Sequence, residues 1–272
     1  MLTITPPDKI KFSVSGDNKA EVIIEPCYPG FGVTIANSLR RVLLSSLDGA
    51  AITGFKIAGV DHEFSSVDGI KEDVVDIILN LKKVRLKIFA DTDEDIKLIL
   101  TKDTEGKVTA ADITPDSNVE IINKDQLICT LTDKKKLEME IFVRRGRGYV
   151  TVEQRDNEKN EIGTIAIDSL YSPVTNVGFR LENTRVGEMT NYEKIIMSLE
   201  TDNSITPEEA IKNSAMILLD QFSVLAGQSA VVEEEPVEET EVEEITDKVE
   251  EKVEELEAKP AKKRGRPKKN DK

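Results

Sequence analysis

Apolar and polar residues largely alternate from Lys9 to Glu25, and the alternation breaks once, at Gly16-Asp17-Asn18. Period-two patterning around a glycine-containing break predicts two strands, Lys9–Ser15 and Ala20–Glu25, joined as a hairpin. A proline- and glycine-rich stretch follows, Pro26 to Gly32, in which Pro29-Gly30-Phe31-Gly32 permits a sharp backbone reversal. The period then becomes helical. Over Val33–Leu47, at about 100° per residue, Ile35, Ala36, Leu39, Val42, Leu43 and Leu47 share one broad face. Arg41 projects almost opposite that face, and Leu44 lies on the Arg41 side. Such a helix has two faces to satisfy, one suited to a core and the other to a partner.

From Ala51 to about Leu170 the pattern is mainly that of strands, including Val84–Phe89, Ile96–Thr101, Gln126–Leu131 and the alternating Leu137–Val143. One helix interrupts it, Ile70–Lys82, with Val74, Ile77, Ile78 and Leu81 as its buried stripe and Lys82 and Lys83 at its negative end. Arg144-Arg145-Gly146-Arg147-Gly148-Tyr149 reads as a turn between strands rather than as a nucleic-acid site. Val174–Glu182 and Tyr192–Glu200 are further strands. Thr206-Pro207-Glu208-Glu209 then combines an N-cap, a proline at the first helical position and a glutamate at the third, a capping box. Ile211, Ala215, Leu218, Leu219, Phe222, Leu225 and Ala226 follow on one face, up to Gly227. That stripe must be covered, either by an equivalent helix of a second copy or by the chain's own sheet, and periodicity does not separate the two. The class is α+β.

Charge changes the picture at the C-terminal end. Of the 272 residues, 233–257 hold 14 acidic residues against two lysines, and 258–272 hold eight basic residues and one aspartate. This tail accounts for −5 of the formal net charge of −15, leaving −10 on residues 1–232. An acidic body repels a phosphate backbone, so broad DNA binding by residues 1–232 is not expected. Cys27 and Cys129 lack CxxC spacing and read as reduced core thiols. His62 is the single histidine, and no HExxH, GxSxG or complete phosphate loop occurs, which weighs against an enzyme with its own active site. The N-terminus lacks the regions of a signal peptide and no long apolar run occurs, so a cytoplasmic protein without membrane contact is expected.

Several segments carry a family resemblance. The run from Glu25-Pro26 through Gly30-Phe31-Gly32 to Asn37-Ser38-Leu39-Arg40-Arg41 and Leu44-Ser45-Ser46 resembles the first helix region of bacterial RNA polymerase alpha subunits. Glu72-Asp73 with Asn80-Leu81-Lys82, Thr109–Ile113, Arg145–Val150, Tyr171–Val174, Arg185-Val186 and Pro207–Ala210 follow in the family's order. Collinear matches are far more specific than any one short motif. The resemblance implies a dimerisation subdomain of antiparallel sheet plus two long helices, from residues 1–48 and 171–228, with an inserted, mostly β subdomain, 49–170. It implies a homodimer in which the first and last long helices meet their counterparts, through Ile35, Leu39, Leu43, Leu218, Phe222 and Leu225. The dimer would be a non-catalytic platform for the beta and beta prime subunits in transcription. Arg41 and Leu44 match positions implicated in beta binding; Lys82, Ile167 and Asp168 match the region linked to beta prime. Nucleotidyl transfer and its magnesium would reside in those large subunits, with no catalytic residue, cofactor or metal in this chain.

Residues 228–272 are not expected to form the small helical C-terminal domain usual in that family. Residues 229–257 read as an acidic disordered linker and 258–272 as a basic tail. Within the tail, Arg264-Gly265-Arg266-Pro267 flanked by lysines resembles an AT-hook, since arginines gain from the negative potential of narrow A/T-rich minor grooves. The tail is thus a candidate contact to A/T-rich promoter DNA, and it sustains the rival reading, a nucleoid-type DNA-binding protein acting through that tail.

Overall fold

The alternating segments at the start of the chain pair as expected: β1 (Lys9–Val14) runs antiparallel to β2 (Lys19–Cys27), with Phe12 opposite Val22 and Ile10 opposite Ile24. The structure, a computed structural model, describes residues 4–227 apart from 17, 61, 91, 93, 115, 135 and 156–162. The expectations for 229–257, and for 258–272 with Arg264, Gly265, Arg266 and Pro267, lie outside the described residues. In chain order the next elements are α1 (Phe31–Ser45), β3 (Asp48–Ile57), α2 (Val74–Leu81), β4 (Leu86–Ile88), β5 (Ile96–Lys102), β6 (Gly106–Thr109), β7 (Val119–Ile121) and β8 (Leu127–Leu131). They are followed by β9 (Leu137–Arg147), β10 (Tyr149–Val150), β11 (Ile165–Ala166), β12 (Ser169–Leu170), β13 (Val174–Val186), β14 (Met189–Thr201) and α3 (Pro207–Leu225).

Two hydrophobic cores result. The antiparallel sheet β1-β2-β14-β13 joins strands from both ends of the described chain. Its apolar side packs on α1 and the start of α3, burying Val22, Ile24, Leu39, Leu43, Ile195, Met197 and Ile211. The other core draws only on residues between 52 and 167. There the sheet β5-β9-β3-β4-β7, with β11 on β3, packs with α2 and the small β6-β8 sheet around Phe55, Ile77, Leu100, Ile128 and Met139. The architecture is α+β with antiparallel pairing throughout the named strands.

Three elements depart from the sequence expectation. The α2 helix begins at Val74 rather than Ile70, because Ile70 bridges to Leu131 and the Glu72 carboxylate accepts the Thr130 N–H at 2.6 Å and its hydroxyl at 2.8 Å. These bonds hold residues 70–72 to β8. The segment Arg144–Arg147 is not a turn but the end of the long strand β9, and the reversal falls at Gly148, φ 65°. The α1 helix is shifted toward the N-terminus, starting at Phe31 directly after Gly30, whose φ of 85° requires glycine.

Candidate partner-binding surfaces

The first helix is anchored by a residue from the far end of the chain. Glu193 on β14 accepts the Gly30 N–H on Oε1 at 3.1 Å and the Gly32 N–H on Oε2 at 2.8 Å. A carboxylate at a helix N-terminus satisfies orphan donors and opposes the positive end of the dipole. Held there, and by Ala36, Leu39 and Leu43 in the core beneath it, α1 presents Arg41 and Leu44 outward. Leu44 is 37% exposed. Among the described residues, the Arg41 side chain has neither a hydrogen bond nor an ion pair and is exposed. Leu39 and Leu43 do not fit the dimer contact expected of them, because both are buried in the protomer's own core, and Ile35 is half-buried against it.

A second cluster gathers residues far apart in sequence. Lys82, just past α2, places Nζ 3.0 Å from Asp168 Oδ2. The Tyr149 hydroxyl donates to the same oxygen at 3.0 Å, and the Val152 N–H donates to Oδ1 at 3.0 Å. The Val152 N–H above all, then Lys82 and Tyr149, hold the Asp168 carboxyl below the usual carboxylate range against the burial that opposes them. Ile167, expected at this surface, has its side chain buried in the core. Its backbone instead braces the cluster: the N–H donates to the Thr53 carbonyl at 2.8 Å, and the carbonyl accepts from the Arg155 guanidinium. The resemblance placed Lys82 and Asp168 in one region without pairing them, and Tyr149, Val152 and Arg155 were not among the site residues, since their roles depend on strands β10 and β12 lying side by side.

The arginines of β9 are paired with carboxylates. Arg144 donates through Nε and Nη2 to Asp95 at 2.9 and 2.7 Å, Arg145 reaches Asp48 at 3.1 Å, and Arg147 bonds the other Asp48 oxygen. Arg147, then Arg145, holds Asp48 below its ordinary range. Neutralised guanidinium groups on a strand offer little to a phosphate backbone.

The last helix starts as its capping box specifies: the Thr206 N–H donates to Glu209 Oε2 at 3.2 Å and the Glu209 N–H to Thr206 Oγ1 at 3.3 Å. Pro207, Ala210, Ile211 and Ser214 are buried, and Leu218 packs partly against the core. Beyond that the stripe is uncovered, with Leu219 68% and Phe222 59% exposed, and Leu225 exposed as well. Ordinary burial against the chain's own sheet therefore accounts for only the first half of α3.

Residues 55–172 match the family model described as the RNA polymerase Rpb3/RpoA insert domain, and residues 155–222 match that of the RNA polymerase Rpb3/Rpb11 dimerisation domain. The first match spans the self-contained β-rich core and the Lys82–Asp168 cluster. The second takes in β13, β14 and α3 as far as Phe222.

Proposed function

We propose, for a chain that belongs to the alpha-type subunits of RNA polymerase, that it homodimerises through its last helix and serves as the non-catalytic platform on which the beta and beta prime subunits of a bacterial enzyme assemble. The observation that carries this reading is the uncovered apolar half of α3, at Leu219 and Phe222, inside a segment that matches a dimerisation domain. Isologous pairing buries such a patch twice for one set of residues. Segments 1–48 and 171–228 form the dimerising part and 49–170 the insert, a division supported by two cores that share no residue.

On this reading Arg41 and Leu44 receive the beta subunit, and Lys82 with Asp168, braced from within by Ile167, receives beta prime. An unpaired exposed arginine keeps its planar fork free for carboxylates of a partner. Nucleotidyl transfer and its magnesium belong to the large subunits, and this chain positions them. The protein works in the cytoplasm, at the nucleoid. The tail supplies a contact to A/T-rich promoter DNA through Arg264, Gly265, Arg266 and Pro267, supported by a net basic end after an acidic linker.

Tagged full-length chain should recover two very large subunits, and Arg41→Ala should lose the beta subunit while the dimer survives. Normal recovery of both subunits by Arg41→Ala would remove the beta assignment. For the tail, the peptide of residues 258–272 should prefer A/T-rich over G/C-rich duplexes across salt concentrations. Equal affinity with equal salt slopes leaves nonspecific attraction only.

A further inference from the structure

The outer face of β4 carries cations in a row. Past the turn that follows α2, residues 85–89 lie extended beside residues 118–122. The Arg85 carbonyl accepts the Ile122 N–H at 2.9 Å, Lys87 pairs with Glu120, and the Phe89 N–H donates to the Asn118 carbonyl at 2.9 Å. Side chains of an extended segment alternate between faces. Val84 and Leu86 are buried in the core and Ile88 packs against it, so Arg85, Lys87 and Phe89 share the outer face. Lys83 stands at the turn just before them, its carbonyl held by Asn123 Nδ2 at 2.8 Å. Phe89 is 60% exposed, with Lys87 Nζ 5.6 Å from its ring centroid. Among the described residues the exposed Lys83 and Lys87 form no ion pair, and Arg85 reaches only as far as Asp202, at 4.0 Å. Glu120 stands across from Lys87 and Glu209 feels its charge, but neither closes an ion pair with it.

The sequence beyond α3 holds the complement. Val237, Glu239, Glu241 and Glu243 recur at every second residue, an apolar side chain followed by three acids. Taken from its far end, the row on the body is Phe89, Lys87, Arg85 and Lys83, an apolar side chain followed by three cations at the same interval. In extended chain that interval is about 6.6 Å. An antiparallel pass of 237–243 over the strand therefore sets Val237 against Phe89, Glu239 against Lys87, Glu241 against Arg85 and Glu243 against Lys83. Length agrees as well. Glu209, in the first turn of α3, lies near enough to Lys87 to feel its charge, and the 19 residues of that helix span about 28 Å. The 12 residues that follow Leu225 and end at Val237 reach about 40 Å when extended, enough to return along the helix.

We infer that residues 237–243 dock in extended form on the row from Lys83 to Phe89 of their own protomer, as an acidic strap. Exposed ion pairs are individually weak and screened by salt. A tethered segment nevertheless meets its site at about millimolar effective concentration, which makes weak pairs sufficient. Docking withdraws three acids from the segment that precedes the basic residues 258–272 and fixes where the rest of the chain leaves the body.

The test uses full-length chain carrying paired cysteines, Cys27 and Cys129 being buried. Under mild oxidation Phe89→Cys, Val237→Cys should close within one chain, and about 5-fold more slowly when salt rises from about 0.05 M to about 0.5 M. Phe89→Cys, Glu238→Cys, whose second cysteine faces away from the row, should close about 5-fold more slowly than the first pair. Equal rates for the two pairs would mean that the tether alone brings the chain there, and bridges joining two chains would assign the strap to another copy; either overturns the inference. Within the first pair, adding Lys83→Glu, Lys87→Glu should slow closure, and further adding Glu239→Lys, Glu243→Lys should restore it. Closure that ignores the first reversal, or that the second does not restore, sinks the pairing. If closure ignores Lys83→Glu, Lys87→Glu while those changes abolish binding of single-stranded oligo-dT, the row is a nucleic-acid site and not the seat of the strap.

Discussion

Lys82 Nζ lies 3.0 Å from Asp168 Oδ2, and 86 residues separate the two in the chain. The pair is not isolated, since the Val152 N–H and the Tyr149 hydroxyl complete the shell around the same carboxylate. A carboxylate whose folded pKa is lowered stabilises the fold at every pH above its unfolded value of about 3.9, and that contribution is lost as pH falls through the lower folded value. Asp168→Asn should therefore cost about 1 kcal/mol at pH 7 and should flatten the acid limb of the stability curve. Urea midpoints measured from pH 7 down through the carboxylate range test this; parallel curves for wild type and variant would refute it.

Glu193 ties the start of α1 to β14, so its removal should loosen the helix that carries Arg41 and Leu44. Glu193→Ala should cost about 1–2 kcal/mol, in line with the loss of a charged N-terminal cap. Glu193→Gln should lose less, because the amide oxygen still accepts one of the two N–H bonds. Denaturant unfolding of the two variants, compared with wild type, gives the ranking.

Leu219 and Phe222 add little to the core of their own protomer, and so their replacement separates association from folding. The wild type should sediment as a dimer and the double variant Leu219→Glu, Phe222→Glu as a folded monomer at the same concentration. An unchanged dimer would show that α3 is not the association surface.

Gly49 meets backbone rather than side chain. A Cβ built on it would stand 1.7 Å from the Tyr171 carbonyl oxygen, where β3 passes the segment leading into β13. No rotamer change relieves that contact, so Gly49→Ala should cost about 3 kcal/mol and lower the melting temperature accordingly. A variant with wild-type stability would mean that the two segments separate freely.

Cys129 is buried, and burial pushes its thiol up to about 12; Cys27 is shifted in the same direction by the same cause. Neither should react with a thiol reagent at pH 8 until the protein unfolds. Stoichiometric labelling of native protein would contradict the packing of both.

Local chemistry was legible wherever one stretch of chain decides the outcome. The β1-β2 hairpin, the capping box at Thr206 and Glu209, and the stripe of α1 follow from periodicity and from side chains within three or four residues of each other. The motif order also sufficed to point to the polymerase family. Helix α2 was drawn too long because the Glu72 carboxylate bonds to Thr130, 58 residues away. The arginines near Gly148 looked like a turn because their partners Asp48 and Asp95 are distant in sequence.

What the amino-acid order determined by itself was which segments are amphipathic and of which period, since backbone propensity and side-chain period act over a few residues. Tertiary structure alone decided that Leu39 and Leu43 turn inward while Leu219 and Phe222 stay uncovered, and that Tyr149 and Lys82 meet at the Asp168 carboxylate. A periodic stripe is the same whether its cover is the chain's own sheet or another molecule. Only the packed sheet, finite in extent, shows where its own cover ends.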